Sequence, residues 1–149
     1  FLSTSSEVGR SEGRRRMKDI VWGQVLSIEV DEIDEDHRKL IEIFNMLNHA
    51  LTEGEAPDYL AAILDELVNF TAWHFSHEER LMLKYGYADL DNHRQEHREL
   101  ISSARALQER IQRADNTIGD EDIEYLEHWV TAHILTDDMR MGDYLSQVI

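Results

Sequence analysis

Apolar side chains recur at helical spacing in four separate stretches, and this pattern constrains the fold of the chain more than any other feature. The stretches run from about Asp36 to Thr52, from about Pro57 to Tyr85, from about Leu90 to Arg113, and from about Glu121 to near Asp138. Their predicted inward positions are Leu40, Ile43, Phe44 and Leu47; Leu60, Ile63, Leu64, Leu67 and Phe70; Leu100, Ile101, Ala104, Leu107 and Ile111; and Ile123, Leu126, Trp129 and Val130.

The breaks between these stretches are short and carry turn-forming residues. Gly54 and Gly86 are predicted to end the first two helices, and Asn116 and Gly119 lie in the third break. Four helices with short connections predict an all-α protein, an up-down-up-down four-helix bundle. A coiled coil is the competing all-helical fold, but the stretches are too short and too clearly interrupted for it. The tail 139–149 is predicted to add a last helical turn or two across the end of the bundle.

The N-terminal part has a different composition. Residues 1–16 are rich in Ser, Gly and Arg. We expect them to be either a linker from an upstream signalling domain or a tail introduced by cloning. The domain itself is expected to span 17–149. From Asp19 to Asp34 no helical stripe is sustained, which predicts an extended arm over the domain with Trp22 as its anchor. The Asp34–Asp36 cluster is predicted to supply a cap and acidic first-turn residues for the first helix.

Composition excludes several classes of protein. A net charge of −16 over 149 residues argues against nucleic acid or an anionic membrane surface as a partner. The chain contains no cysteine, so disulfides, zinc–thiolate sites and a cysteine nucleophile are excluded. No apolar run reaches the roughly 20 residues of a membrane span and no signal peptide is recognisable, so a cytoplasmic location is expected.

The placement of the histidines indicates a metal site. His93 and His97 are four residues apart, as are His74 and Glu78, so each pair shares a helix face. Either pair alone is an ordinary surface feature, and an inward histidine alone is usually a core residue satisfied by one hydrogen bond. Two pairs on consecutive helices, with inward histidines at His37 and at position 133, favour a metal. The other three histidines are expected to be surface or partly exposed, with His77 the strongest candidate for an exception; they are His49, His77 and His128.

The ligand types narrow the class of metal site. Imidazole suits iron, zinc, copper and nickel, and carboxylate adds a hard ligand that can bridge two ions. Ferritin-like di-iron sites use two Glu-x-x-His motifs and mostly carboxylates. The present set is richer in histidine and does not show two such motifs.

From about Asp19 to its C-terminus the sequence resembles the hemerythrin family, in its bacterial branch. Four ordered pieces carry the resemblance, and they read VWGQVLSIEVDEIDEDHRKL, HFSHEE, HRQEH and WVTAHILTDD. Any one of these pieces is weakly specific, whereas the spaced set is highly specific.

The resemblance implies a non-heme di-iron centre, and it supplies the ligand assignment. One iron would be held by His93, His97 and His133, and the other by His37 and His74. Glu78 and Asp138 would bridge the two ions together with an oxo or hydroxo group. Two six-coordinate irons need about twelve bonds, and this set provides one fewer. The family binds dioxygen reversibly at that open position, which implies carriage, storage or sensing of oxygen rather than catalysis.

One ligand does not follow from regular periodicity. Asp137 lies four residues after His133 and shares its face on a regular helix, whereas Asp138 lies five residues after it. The resemblance selects Asp138, and a local π-bulge would reconcile the spacing.

An apolar pocket should protect the oxygen site from water. The candidates that flank the ligands are Leu40, Phe75, Trp129, Val130 and Ile134, which simple core packing would also explain. Two rival functions remain open. They are a di-iron enzyme or redox sensor acting on oxygen, peroxide or nitric oxide, and a protein for iron storage or another metal.

Overall fold

The computed structural model describes residues 19–149, and within this range the chain forms helices and no strand. The long helices are α1 (Asp31–Thr52), α2 (Pro57–Lys84), α3 (Leu90–Arg113) and α4 (Asp120–His133). Short connections make successive helices antiparallel, and α1 also contacts α4, which closes the bundle. The predicted up-down-up-down four-helix bundle is confirmed. The predicted tail at 1–16 lies outside the described residues.

The predicted apolar stripes form one core along the bundle axis. All the predicted inward positions are buried except Phe70, Leu100 and Ile101, which are half-buried. Pro57 occupies the first position of α2. Gly54 and Gly86 follow α1 and α2 with φ of +76° and +70°, a left-handed conformation that closes a helix at little cost only in glycine.

Helix α1 begins earlier than predicted. It starts at Asp31 rather than Asp36, and the residue before it is Val30, so the prediction that the Asp34–Asp36 cluster caps the helix is wrong. The carboxylate of Asp34 instead accepts hydrogen bonds from the Ile28 amide at 2.9 Å and the Ser27 hydroxyl at 2.5 Å. An aspartate inside the first turn therefore fastens the preceding segment to the helix.

The segment before α1 lies over the domain as an arm, although it is not extended throughout. A 3₁₀ turn spans Gln24–Leu26, and the apolar side chains that follow at Ile28 and Val30 are buried. Trp22 is half-buried, and the guanidinium of Arg38 lies 4.7 Å from the centre of its ring. The predicted anchor is therefore in place.

The C-terminal tail continues the fourth helix instead of starting a separate turn. After α4 the chain passes through a π-helical turn, Ile134–Asp138, and enters α5, Met139–Val148. The tail is therefore helical, as predicted, but it runs for ten residues, more than the expected turn or two. At Gly142 an added Cβ would lie 2.4 Å from the carbonyl oxygen of Ile28, so α5 and the arm are in direct backbone contact. Among the described helices, none combines the length and hydropathy that a bilayer-spanning segment needs.

Candidate metal centre

Seven side chains from all four helices of the bundle converge in its interior. They are the seven predicted ligands, and each is at most 7% exposed: His37, His74, Glu78, His93, His97, His133 and Asp138. Such a concentration of buried polar groups is costly unless the groups are paired or bind metals. The predicted positions are therefore brought together, while their role as ligands stays a prediction.

The carboxylate of Glu78 lies between two sets of histidines. Its Oε1 is 3.0 Å from Nε2 of His97 and 3.6 Å from Nε2 of His93. Its Oε2 is 3.0 Å from Nε2 of His74 and 3.5 Å from Nε2 of His37. Each oxygen of this carboxylate thus faces a different set.

Asp138 repeats this arrangement from the π-helical turn that follows α4. Its Oδ1 is 3.0 Å from Nε2 of His133 and 3.1 Å from Nε2 of His93, while its Oδ2 is 2.9 Å from Nε2 of His37. The two carboxylates therefore divide the histidines into a group of three and a group of two. In each group the potential ligand atoms, with those of the two carboxylates, lie close enough together to hold one cation. The two groups coincide with those implied by the resemblance.

The hydrogen bonding of these groups provides a test of whether a metal fits. Within residues 19–149, every buried side-chain nitrogen or oxygen that lacks a hydrogen bond belongs to one of the seven predicted ligands. Both oxygens of Glu78 and Nε2 of His37, His74, His97 and His133 are among them. Buried polar atoms are normally satisfied. These atoms approach within about 3 Å of one another but lack hydrogen-bond geometry. Such an arrangement is expected of ligand atoms that point at a shared ion.

The π-helical turn explains why the fifth residue after His133, and not the fourth, enters the centre. It spans Ile134–Asp138, and its wider turn restores His133 and Asp138 to the same face. Asp138 is fully buried. Asp137 remains at the edge, with Oδ1 2.7 Å from Arg140 and Oδ2 3.3 Å from Nδ1 of His133. The predicted irregularity is present.

Two of the histidines are held from behind by carboxylates. Nδ1 of His74 lies 2.8 Å from Oδ2 of Asp36, and Nδ1 of His97 lies 2.8 Å from Oε2 of Glu79. Such partners fix the tautomer and the orientation of a metal-binding imidazole, because the nitrogen that carries the hydrogen is then the outer one. Nε2 is left free to face the centre.

Asp36 also binds a second imidazole. Its Oδ2 is 2.6 Å from Nδ1 of His77, and Nε2 of His77 is 2.8 Å from Oε1 of Glu32, a half-exposed side chain. His77 is only 7% exposed, so it is the exception foreseen among the remaining histidines. A continuous series of polar contacts therefore leads from the surface to His74.

Burial and charge act against each other on the pKa values of the cluster. Burial lowers the pKa of His74, but the charge of Glu78 and the contact with Asp36 outweigh it and raise the pKa to about 10. Burial also lowers the pKa of His93, but Asp138 and Glu78 raise it to about 9. Burial raises the pKa of Glu78, and the histidines around it, His74 foremost, hold it well below its usual range.

A small apolar cavity adjoins the group of two histidines. It has a volume of about 10 Å³, close to the space that one water-sized molecule requires. Thr71 lines it, and so do all five predicted pocket residues, which are Leu40, Phe75, Trp129, Val130 and Ile134. The ring of Phe75 also stacks on that of His97, with centroids 3.7 Å apart and planes 4° apart.

Sequence reasoning missed Thr71 in the cavity wall and the two carboxylates that contact ligand histidines, Asp36 and Glu79. Asp36 and Glu79 are each the sequence neighbour of a predicted ligand, and this adjacency was the one available signal. For His77 the signal was its position one turn from His74. His49 and His128 are exposed, as predicted.

Comparison with known proteins agrees with this geometry. The family model described as the hemerythrin HHE cation binding domain matches residues 29–145. A bacteriohemerythrin from Stenotrophomonas maltophilia is 35% identical over 83% of this chain and 80% of its own length. One from Pseudomonas paraeruginosa is 33% identical, over 82% of this chain and 78% of its own length.

Solved structures extend the likeness to the fold. The crystal structure of a wild-type hemerythrin superimposes with a TM-score of 0.77 at 26% identity, covering 85% of this chain and 98% of that one. By sequence, a hemerythrin-like protein from Naegleria gruberi is also similar, at 29% identity over 80% of this chain and 87% of its own length. With its bundle, its cluster of buried histidines and carboxylates and these relatives, the chain belongs to the hemerythrin family.

Proposed function

We propose that this chain holds two iron ions through its seven clustered residues and binds dioxygen reversibly, for carriage, storage or sensing. The single observation that supports this most is the division of the cluster. Glu78 and Asp138 each direct one oxygen to a group of three histidines and the other to a group of two. Two carboxylates shared between groups with unequal numbers of histidines would hold a pair of ions, one of them with fewer protein ligands than the other.

The donor set fits iron. Five imidazoles and two carboxylates combine borderline and hard ligands, a mixture that suits ions of intermediate softness such as iron. His93, His97 and His133 would hold one ion, and His37 and His74 the other. When bound, such a pair would supply the electrons that reversible oxygen binding requires.

The side chains around the centre would exclude water and leave room for one small ligand. Both members of the group with fewer histidines, His37 and His74, line the cavity, whereas only His133 of the group of three does. Its walls at Leu40, Val130 and Ile134 are apolar and at most 5% exposed. An apolar site of this size suits a neutral diatomic molecule better than a charged substrate.

The cavity wall also favours binding over catalysis. Among the described residues that line it, Thr71 carries the one aliphatic hydroxyl. That hydroxyl donates to the carbonyl of Leu67 at 2.7 Å, and the indole nitrogen of Trp129 donates to the carbonyl of Leu100 at 3.1 Å. No side chain outside the predicted ligands is therefore poised there to transfer a proton.

The test is the optical spectrum of the iron-loaded, anaerobically reduced protein before oxygen is admitted, after it is admitted, and after it is removed. The proposal predicts a coloured oxygenated form that fades when oxygen is withdrawn and returns over several cycles. Immediate and complete oxidation without such a form would contradict reversible binding and would favour the enzyme or redox sensor.

A further inference from the structure

A second, larger cavity opens beside the candidate metal centre, as a groove between α3, α4 and the π-helical turn. Its volume is about 420 Å³. Acidic side chains and an exposed histidine line it, including Glu96, Glu99, His128 and Asp137. His133 forms part of its wall, so the ring of one predicted ligand lies between the groove and the centre.

The outer nitrogen of His133 faces this groove without a hydrogen bond. His133 is 7% exposed, and its Nδ1 has no hydrogen-bond partner. The nearest acceptors are Oδ2 of Asp137 at 3.3 Å and Oε1 of Glu96 at 3.9 Å. These three atoms come from three different places in the fold and lie within 4.8 Å of one another, so they could hold one cation.

His133 differs in this respect from His74 and His97, although Nδ1 of His37 also lacks a partner. His74 and His97 each place Nδ1 2.8 Å from a carboxylate oxygen, in hydrogen-bond geometry. The outer nitrogen of His133 is instead a buried polar atom without a partner, close to two carboxylates that line the groove. If Nδ1 of His133 served only to orient the ring, no groove beside it would be needed. A cation that approaches Nδ1 from outside does need such a groove.

We propose that Glu96, Asp137 and Nδ1 of His133 form a capture site for a divalent cation, through which Fe²⁺ reaches the two-metal centre. This inference rests on the proposed function. The ligands are two carboxylate oxygens and one imidazole nitrogen, a set that binds Fe²⁺, Co²⁺ and similar ions. Carboxylates around a cleft also raise the local cation concentration and the rate of association.

The site is suited to transient occupancy. A neutral imidazole has one lone pair, on either Nδ1 or Nε2, so His133 can serve the groove or the centre but not both. Asp137 is also held by Arg140, whose guanidinium is 2.7 Å from its Oδ1. An ion captured here therefore has fewer and weaker ligands than one in the centre. As it moves inward, the single N–H hydrogen of His133 passes from Nε2 to Nδ1, so the ring stays neutral and its lone pair turns to the centre.

The test is the rate at which protein stripped of metal takes up Co²⁺, followed by its visible absorption in a stopped-flow instrument. Glu96→Gln removes one ligand of the capture site, and Glu99→Gln removes the same charge one helical turn away in the same groove. We expect Glu96→Gln to slow uptake at least about tenfold while the final content stays at two ions per chain. Glu99→Gln should change the rate less than about twofold, because the field of an exposed charge is screened.

The outcomes separate this inference from the proposed function. Uptake by Glu96→Gln at the wild-type rate, or equal slowing by Glu99→Gln, overturns the capture site. Failure of the wild-type protein to bind two ions overturns the proposed function itself. If circular dichroism shows that Glu96→Gln does not fold, Asp137→Asn takes its place, with the same slowing expected and uptake at the wild-type rate again overturning the site.

Discussion

Asp36 and His74 lie on different helices, and Oδ2 of the aspartate is 2.8 Å from Nδ1 of the histidine. Both side chains are buried. The same oxygen is 2.6 Å from Nδ1 of His77, so one carboxylate oxygen fixes two imidazoles. Nε2 of His74 is thereby directed at Glu78 in the centre.

We therefore predict that Asp36→Asn weakens metal binding about 10–100-fold, the usual loss when a ligand histidine loses its supporting carboxylate. The amide oxygen has no negative charge, so it accepts more weakly from the two imidazoles and lowers the basicity of Nε2 of His74. Affinity is measured by Co²⁺ titration against a competing chelator. Glu35→Gln is the matched control, because Glu35 precedes Asp36 and is exposed. Equal affinities in Asp36→Asn and wild type would show that the contact does not orient His74.

Widening the cavity should shorten the life of the oxygenated form. Leu40 lines the cavity and is 5% exposed, whereas Leu60 is 4% exposed at the start of α2, far from the centre. Truncation of either to alanine costs about 2–5 kcal/mol of stability. Only Leu40→Ala admits water beside His37 and His74. Autoxidation followed by absorbance should accelerate in Leu40→Ala and remain unchanged in Leu60→Ala; equal rates would refute the protective role of the cavity wall.

The contact between the arm and α5 should be sensitive to one methyl group. A Cβ at position 142 would lie 2.4 Å from the carbonyl oxygen of Ile28 and 2.7 Å from its Cβ. Because backbone must move to accommodate it, Gly142→Ala is expected to destabilise the protein by about 1–3 kcal/mol. Gly23→Ala is the control, since nothing lies within 4 Å of a Cβ there. Thermal unfolding measures both, and an unchanged midpoint for Gly142→Ala would contradict the close packing of the arm.

Metal binding should release protons. Burial lowers the pKa of His74 and of His93, but the neighbouring carboxylates raise them to about 10 and about 9. Both imidazoles are therefore in the doubly protonated, cationic form at pH 7, and a metal ion has to displace one proton from each. Affinity should consequently increase as the pH rises from 7 towards 9. Calorimetry of Co²⁺ binding in buffers of different ionisation enthalpy gives the number of protons, and a value near zero at pH 7 would be inconsistent with these pKa values.

Much of the fold could be predicted because its determinants are local. The bounds of α3 coincide with the prediction, since its apolar stripe is regular and turn-forming residues follow it. Helix α1 was predicted to start too late. Its first turn is acidic, and a carboxylate there that fastens the preceding arm cannot be distinguished by sequence from one that caps the helix.

The candidate site could be predicted as far as spacing and resemblance reach. His93 and His97 share a face on any regular helix, but Asp138 depended on the resemblance because a π-helical turn breaks the regular period. The contacts of Asp36 with His74 and His77 join residues 38 and 41 positions apart. Such pairings arise from the packing of one helix on another, which no local pattern encodes.

Iron content is the most direct measure of the central claim. The protein is reconstituted with Fe²⁺ under anaerobic conditions and desalted, and iron per chain is determined for the wild type and for Glu78→Gln, which removes the charge of one bridging carboxylate. The account predicts two irons per chain in the wild type and fewer in the variant. One or no iron per wild-type chain, many irons per chain, or an unaltered content in Glu78→Gln would contradict a di-iron centre built on these seven residues.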